Sequence, residues 1–256
     1  MTRRDVHARA NWFDAAAEAY ERGRPGWPEP ALDAIARRLG LSPAASVLDL
    51  AAGTGKLTRL LVPRFASVVA VEPLDGMRAV LERAARGARA LPGTAEAIPL
   101  EDGAVDAVLV AEAFHWFDFA RAAAEIERVL RPGGGVAVLY NRHHWEREEE
   151  AWQREAHAAF EAHRLPPDDV DAFDTSGWQA ALAARFGPLT EETFPYAQRF
   201  DAAQIEAMYA SFSAIAGLPT ERREAALAAQ RDVLERHGIR EAELAYRTVV
   251  VTASRR

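Results

Sequence analysis

VLDLAAGTGKLT, residues 47–58, carries the strongest structural signal in this chain. A short apolar run rich in leucine and valine ends in small residues and glycines, and a helical pattern then begins. In an α/β fold this is the order of the first strand, its tight turn and the following helix. Glycines in such a turn let the backbone approach a ligand where a β-carbon would obstruct it. The stretch therefore predicts a parallel sheet with a ligand-binding turn at Gly53 and Gly55.

A second apolar run, residues 68–71, ends in the carboxylate of Glu72, about twenty residues after the glycines. An acidic residue at this position can accept hydrogen bonds from the hydroxyls of a ribose. The Gly-x-Gly pair alone is weak evidence, because it can be no more than a turn. Together with Glu72 it predicts a nucleoside site. The dinucleotide fingerprint G-x-G-x-x-G requires a third glycine, and Thr58 occupies that position.

Residues 49–55, DLAAGTG, resemble the D-x-G-x-G-x-G first motif of class I S-adenosylmethionine-dependent methyltransferases. Asp49 matches the acidic position, and Ala51 replaces the first glycine, which indicates a position that tolerates a methyl group. The string RVLRPGG at 128–134 is also typical of the family, since proline and glycine together end a helix and reverse the chain. The chain thus resembles a methyltransferase type 11 domain, strongly up to about residue 140 and loosely beyond.

The leader YERGRPGWP, residues 20–28, resembles the Y-x-x-x-R-P-x-Y/W-P pattern of a subgroup that includes trans-aconitate methyltransferase-like proteins. The resemblance implies S-adenosyl-L-methionine as the cofactor and a small molecule as the methyl acceptor. Two other functions stay open. A nicotinamide-dependent oxidoreductase shares the strand, turn and acid layout, and a non-catalytic nucleoside-binding protein is compatible with it because a fold does not guarantee activity.

The periodicity of the chain predicts strands that alternate with helices, an α/β pattern that gives a parallel sheet covered on both faces. Strands are expected near 45–50, 67–72, 88–93, 105–110, 135–141, 190–200 and 245–252. Helices are expected near 11–22, 29–40, 146–163, 176–186, 201–216 and 220–236. The resemblance implies a Rossmann-like class I methyltransferase fold: a mostly parallel seven-stranded sheet with helices on both faces and a small helical cover. Residues 1–141 would form the cofactor-binding core with its leader, and residues 142–256 the cover and the last two strands.

The predicted cofactor site lies at the carboxyl ends of the first strands, where open parallel sheets bind ligands. The segment at 93–100 resembles the family's adenine-contacting segment. Many members carry an acidic residue where this chain has Thr94, so adenine recognition is expected from the Ala95 backbone or from Glu96. The rings of Tyr20, Trp12 and Trp116 are candidates to stabilise the sulfonium by cation–π attraction. The cofactor's carboxylate is expected to bind exposed backbone N–H groups at the turn or a cation of the leader, for which Arg24 is the candidate. The predicted cofactor-binding residues are Tyr20, Arg24, Asp49, Ala51, Gly53, Gly55, Glu72, Thr94, Ala95 and Glu96.

The acceptor side is expected where His115, Trp116 and Phe117 follow the fourth strand. His115 is the candidate catalytic base, since an imidazole accepts protons near neutral pH; the alternative is that it shapes the pocket or bonds to the backbone. Arg142 follows the fifth strand and is a candidate to pair with a carboxylate on the acceptor. Alternatively, Arg142 caps a helix or pairs with Glu146.

Substitutions at Gly55 and Glu72 test whether these residues bind the cofactor. A valine at Gly55 is expected to enter the space of the cofactor, unless the glycine serves only a turn with positive φ. Alanine at Glu72 is expected to weaken cofactor binding and to leave the fold intact, because a carboxylate at the end of a strand is not part of the core.

Composition excludes several other classes of protein. The 256 residues include no cysteine, which excludes disulfides and thiolate metal sites and suggests a cytoplasmic protein. A net charge of −7 argues against binding to a nucleic-acid backbone. No apolar run is long enough to cross a membrane, and no secretory signal is recognisable. The adjacent histidines at 143–144 lack a supporting carboxylate pattern, so no metal is predicted. The oligomeric state stays open.

Overall fold

The computed structural model describes residues 12–143, 150–165 and 177–255. These residues contain a seven-stranded sheet. Its strands are β1 (Ser46–Leu50), β2 (Ser67–Val71), β3 (Arg89–Leu91), β4 (Val105–Ala111), β5 (Leu130–His143), β6 (Thr190–Asp201) and β7 (Glu241–Ser254). They lie in the order β3-β2-β1-β4-β5-β7-β6.

The sheet is mostly parallel. β1 pairs in parallel with β2 and β4, β2 with β3, and β4 with β5, while β6 and β7 form an antiparallel pair. The predicted fold, a mostly parallel seven-stranded sheet with helices, is confirmed. β5 begins earlier than the pattern near 135–141 predicts, because Leu130 already pairs with Val105 before the register shifts and resumes at Gly135 with Ala107.

The helices follow the predicted order with some divisions. They are α1 (Trp12–Ala15), α2 (Ala17–Gly23), α3 (Glu29–Arg38), α4 (Thr58–Leu61), α5 (Asp75–Ala84), α6 (Phe119–Val129), α7 (Ala151–His163), α8 (Gly177–Phe186), α9 (Ala202–Ala210), α10 (Ser213–Ala216) and α11 (Thr220–Arg236). The patterns at 11–22 and 201–216 are each divided into two helices. Glu150 begins α7 with a reciprocal capping box, and residues 146–149 of its predicted span lie outside the described residues. No described helix combines the length and apolarity that crossing a bilayer requires.

Alternate residues of the central strands pack on opposite faces of the sheet. Leu48 and Val108 belong to a core that also contains buried residues of α6 and α8. Val47 and Leu109 belong to a second core with buried residues of α3 and α4. The near-continuous apolar composition of β1 and β4 follows from this, because each strand is covered on both sides.

The contacts divide the described chain into two compact units. The sheet unit comprises residues 26–142, 177–195 and 247–255, and it holds both cores described above. The helical unit comprises residues 12–25, 150–165 and 196–246, with His143 at its boundary. Residues 20–25 of the leader therefore group with the late helices, and residues 26–28 group with the sheet unit.

The helical unit has a separate aromatic core. Trp152 of α7, Tyr209 of α9 and Tyr246 of β7 are buried in it. Burial raises the pKa of the Tyr246 hydroxyl well above its ordinary value. α2 packs against α9 so closely that a β-carbon on Gly23 would collide with the backbone of Met208. This contact joins residues distant in the sequence.

Candidate functional site

The turn after β1 has a left-handed backbone at three residues. Ala51, Gly53 and Gly55 have φ values of 57°, 57° and 84°. The Ala52 N–H donates to the carbonyl of Val71 (3.1 Å), which ties the turn to the end of β2. A β-carbon on Gly53 would meet no atom within 4 Å, so the space beside this residue is open to a ligand.

Gly55 has different surroundings. A β-carbon there would lie 3.2 Å from Leu81 Cδ1 in α5 and 3.3 Å from Cβ of Ala85, the residue after that helix. The expectation that a side chain at Gly55 would enter the cofactor's space is therefore wrong, because the side chain would press against the helix. The close approach of turn and helix accounts for this glycine, while its backbone stays a predicted part of the cofactor site.

Glu72 connects the end of β2 to this turn. Its Oε2 accepts a hydrogen bond from the Gly53 N–H (2.9 Å), and its Oε1 accepts one from the Leu74 N–H (3.0 Å). The residue is only 4% exposed. The expectation that this carboxylate is not part of the core is therefore wrong, since Glu72 is buried and fixes two backbone segments. Each carboxylate oxygen can accept more than one hydrogen bond, so the same group can also bind hydroxyls of a ligand.

Asp49 lies beneath the turn and is fully buried. Its Oδ2 accepts a hydrogen bond from Thr58 Oγ1 (2.5 Å) at the start of α4. Burial raises the pKa of Asp49, the hydrogen bonds from Thr58 lower it, and the negative charge of Glu72 raises it; the net result is a pKa of about 7. The sequence motif marked Asp49, but only the structure reveals that its ionisation is unfavourable.

Two buried oxygen atoms in this region have no hydrogen-bond partner among the described residues. They are Oδ1 of Asp49 and Oγ1 of the fully buried Thr54. Buried polar atoms are normally bonded to protein or water, so such atoms indicate a site built to accept a further group. Together with the open side of Gly53 and the carboxylate of Glu72, they fit a polar ligand such as a nucleoside.

A 3₁₀ helix, Phe114–Trp116, follows β4 at the carboxyl edge of the sheet. Phe114 is buried, with its ring centroid 5.1 Å from that of Phe117 and 5.4 Å from that of Trp178. His115 is half-buried, and its ring centroid lies 5.3 Å from that of Trp116. The aromatic packing thus holds His115, Trp116 and Phe117 at the edge where the sequence predicts them.

Glu112 is a residue of this edge that the sequence reasoning missed. It follows β4 directly and has a φ of 54°, an uncommon value for a residue other than glycine. Its Oε1 accepts a hydrogen bond from the Asn141 N–H (2.7 Å), and Asn141 in turn accepts one from Thr248 Oγ1 (2.5 Å). The signal that could have revealed it is an acidic residue directly after a buried strand. Ala51 and Glu112 are the two non-glycine residues with positive φ in the described part of the chain, and they directly follow the neighbouring strands β1 and β4.

The predicted adenine segment follows β3. Thr94 forms an isolated bridge with Ala97, and Ala95 is buried. Glu96 Oε1 accepts a hydrogen bond from the Asp118 N–H (2.8 Å) at the beginning of α6. Glu96 therefore joins this segment to the chain that follows His115, and its role in adenine recognition stays a prediction.

Tyr20 and Arg24 lie in the helical unit. Arg24 donates from Nε to Ser211 Oγ (2.8 Å) and from Nη2 to the backbone carbonyl oxygen of Ser211 (3.0 Å). Its guanidinium lies 4.4 Å from the centre of the Phe212 ring and 5.3 Å from that of Tyr20. These contacts give Arg24 a structural role in its own unit, and its predicted bond to the cofactor stays untested.

Arg142 is exposed near the end of β5. Its guanidinium lies 5.4 Å from the ring centre of Tyr140 and donates to that hydroxyl (3.3 Å). The alternative partner Glu146 lies outside the described residues, as does His144. Within the described ranges, no group of three histidine, aspartate or glutamate side chains is arranged to hold a metal ion.

Comparison with known proteins places these features in a family. A family model described as a methyltransferase domain matches residues 48–138. An uncharacterized methyltransferase-like protein of Schizosaccharomyces pombe, C25B8.10, is 31% identical over 214 residues, which are 83% of this chain and 81% of that protein. The uncharacterized methyltransferase Rv3342 of Mycobacterium tuberculosis is 55% identical over 131 residues, or 50% of this chain and 51% of the relative. In this second match the chain spans about half the length of its relative.

The fold agrees with a solved structure of a candidate type II methyltransferase from Anaeromyxobacter dehalogenans. The TM-score is 0.62 at 23% identity, and the match covers 90% of this chain and 97% of the other. This similarity concerns the fold alone, and the trans-aconitate methyltransferase-like subgroup stays a prediction. The chain belongs to the methyltransferase domain family.

Proposed function

We propose that the protein transfers a methyl group from S-adenosyl-L-methionine to a small-molecule acceptor. The observation that carries this proposal is the Glu72 carboxylate, which is fixed by the Gly53 N–H at the carboxyl edge of the sheet. This is the position where a ribose diol is bound in open α/β folds. Membership of the methyltransferase family supports the choice of this nucleoside.

The charges at this edge favour the same choice. The carboxyl groups of Glu72 and Glu112 follow strands β2 and β4, which lie on either side of β1. Negative groups in a region of low dielectric attract a cation and oppose a pyrophosphate. S-adenosylmethionine carries a positive sulfur, whereas a nicotinamide dinucleotide carries two phosphate charges.

S-adenosylmethionine, when bound, supplies a methyl group that is already activated by its positive sulfur. The chain then has to bind the nucleoside, align the acceptor and exclude water. Asp49, Ala51, Gly53, Gly55, Glu72 and the segment from Thr94 to Glu96 are the proposed cofactor contacts of the sheet unit. His115 is the proposed base for an acceptor that must lose a proton.

An acidic acceptor is the finer part of the proposal, and it rests on Arg142. The guanidinium is exposed and held beside Tyr140, so it can bind a carboxylate in a bidentate manner. Arg142→Ala is expected to raise the acceptor's KM by about ten- to a hundredfold, since hydrogen bonds to charged groups contribute roughly 1.5–3 kcal/mol. Cofactor affinity should stay unchanged. Arg131→Ala, near the other end of β5, is the matched control and should leave KM unaltered. Equal KM values in wild type and Arg142→Ala would remove the argument for an acid.

Incubation of the protein with a metabolite mixture and S-adenosylmethionine labelled in its methyl group tests the proposed activity. We expect the label to appear in one small molecule or a chemically related set, with carboxylic acids preferred. Cofactor binding without transfer to any metabolite would favour a non-catalytic nucleoside-binding protein. Binding of NAD in place of S-adenosylmethionine would favour an oxidoreductase.

A further inference from the structure

Asp49 is one of the proposed cofactor contacts, and the proposed function does not use its change of ionisation. It is fully buried, one carboxylate oxygen has no partner among the described residues, and the other accepts a bond from Thr58. Two neighbouring residues change the pKa of Asp49: the charge of Glu72, at the end of β2, raises it, and the hydrogen bonds of Thr58, at the start of α4, lower it. Asp49 therefore lies in a region of low dielectric, where an added charge acts strongly and is little screened.

We propose that Asp49 distinguishes the positively charged cofactor from its neutral-sulfur product by releasing a proton when the cation binds. The inference rests on the proposed function, because it requires a sulfonium at the turn. In S-adenosylhomocysteine, the demethylated product, the positive charge on sulfur is absent and the rest of the molecule is the same. The two ligands thus differ in the one property to which a buried carboxyl group responds.

The direction of the effect follows from linkage. The pKa of Asp49 without ligand is about 7, so near neutral pH the group is protonated in a large fraction of molecules. A nearby cation favours the carboxylate, so the bound cofactor lowers this pKa and the proton leaves to solvent. S-adenosylmethionine must displace a proton at low pH, and its affinity falls there. The product lacks the sulfur charge, and its affinity should change little.

Calorimetric titration of both ligands at pH 6 and pH 8, in buffers of different ionisation enthalpy, measures affinity and proton release together. With a pKa near 7, affinity for S-adenosylmethionine should be about tenfold weaker at pH 6 than at pH 8, with nearly one proton released at pH 6. S-adenosylhomocysteine should show less than about a threefold change. Asp49→Asn should abolish the pH dependence for S-adenosylmethionine. Asp106→Asn, the same change at the opposite edge of the sheet, should retain it.

Thr58→Val provides a second test that does not remove the carboxyl group. The Thr58 hydroxyl lowers the pKa of Asp49, so its loss should move the midpoint of the pH dependence to higher pH. An unshifted midpoint would overturn the proposal, as would identical pH dependence and proton release for the two ligands. Failure of both ligands to bind would instead overturn the proposed function and this inference with it.

Unfolding of the ligand-free protein gives a readout independent of the cofactor. The pKa of Asp49 is raised from 3.8 in the unfolded chain to about 7 in the folded one, so between these values the folded protein holds the additional proton. Its contribution to the free energy of unfolding therefore falls as pH rises through this range and is constant above it. Relative to Asp49→Asn, wild type should lose stability from pH 5 to pH 7. A constant difference between the two proteins would contradict the assigned ionisation.

Discussion

The turn after β1 and the region around Arg24 are built over very different distances in the sequence. Glu72 bonds to Gly53 across 19 positions, and Thr58 bonds to Asp49 across 9. Arg24 bonds to Ser211 across 187 positions. A local motif therefore reveals the first region, whereas only the folded chain reveals the second. The two glycines of the turn also differ: the space beside Gly53 is open to a ligand, whereas Gly55 packs against α5.

Gly55→Val should produce the largest effect, and the effect should be on stability. A branched residue in the left-handed region and a side chain pressed against Leu81 together should lower the free energy of unfolding by about 2–5 kcal/mol. Denaturant unfolding measures this directly.

Substituting alanine at each of three glycines distinguishes the cost of a positive φ from the cost of a close packing contact. Gly55, Gly53 and Gly103 all have positive φ, but a β-carbon would meet other atoms only at Gly55. Gly103→Ala should therefore lower the free energy of unfolding only by the cost of a positive φ for alanine, about 1–2 kcal/mol. Gly55→Ala should destabilise more than this. Gly53→Ala should match Gly103→Ala in stability but weaken binding of S-adenosylhomocysteine. Equal stability losses at all three glycines would remove the packing role of Gly55.

Glu72→Gln should weaken binding of S-adenosylhomocysteine by about ten- to a hundredfold, since hydrogen bonds to a charged group are worth roughly 1.5–3 kcal/mol. Glutamine keeps the size of the side chain and one acceptor for the backbone, so the protein should still fold. Asp106 is the control, because its Oδ2 accepts the Ser46 N–H (2.7 Å) at the amino edge of the sheet. Asp106→Asn should reduce stability and leave binding intact; an equal loss of binding in both variants would point to a general structural effect.

Arg24→Lys tests whether the long-range contact is structural. Lysine keeps the charge but loses the planar fork that bonds twice to Ser211, so stability should fall by about 1–2 kcal/mol. Ser211→Ala, which removes the hydroxyl partner, should reproduce part of this loss. A large rise in the Kd for S-adenosylhomocysteine with unchanged stability would instead support the predicted bond between Arg24 and the cofactor's carboxylate.

Ala51→Gly should have the smallest effect and the opposite sign. Alanine at a φ of 57° is strained, and glycine relieves that strain, which should raise stability by about 0.5–1 kcal/mol. The neighbouring Ala52 has no positive φ, so Ala52→Gly should lower stability by about 0.5–1 kcal/mol. Thermal unfolding distinguishes the two signs. A loss of stability in both variants would show that Ala51 is not strained.

The order of strands and helices was predictable because hydrophobic periodicity reports burial residue by residue. The position of Glu72 was predictable too, since strand and turn lengths determine its distance from Gly53. The bond from Glu96 to Asp118 was not, because it depends on how α6 begins against the segment after β3. The positive φ at Glu112 was not predictable, because glutamate is not a residue type that favours this backbone conformation. The partner of Arg24 was not predictable either, because it is set by the packing of α2 on α9.

The central claim is that the turn at Gly53 and Glu72 binds S-adenosylmethionine and its product. Calorimetric titration of the wild-type protein with S-adenosylhomocysteine, repeated in the presence of excess NAD, tests it most directly. We expect binding of one S-adenosylhomocysteine per chain, with an affinity that NAD does not alter. Absence of S-adenosylhomocysteine binding, or its displacement by NAD, would contradict the claim.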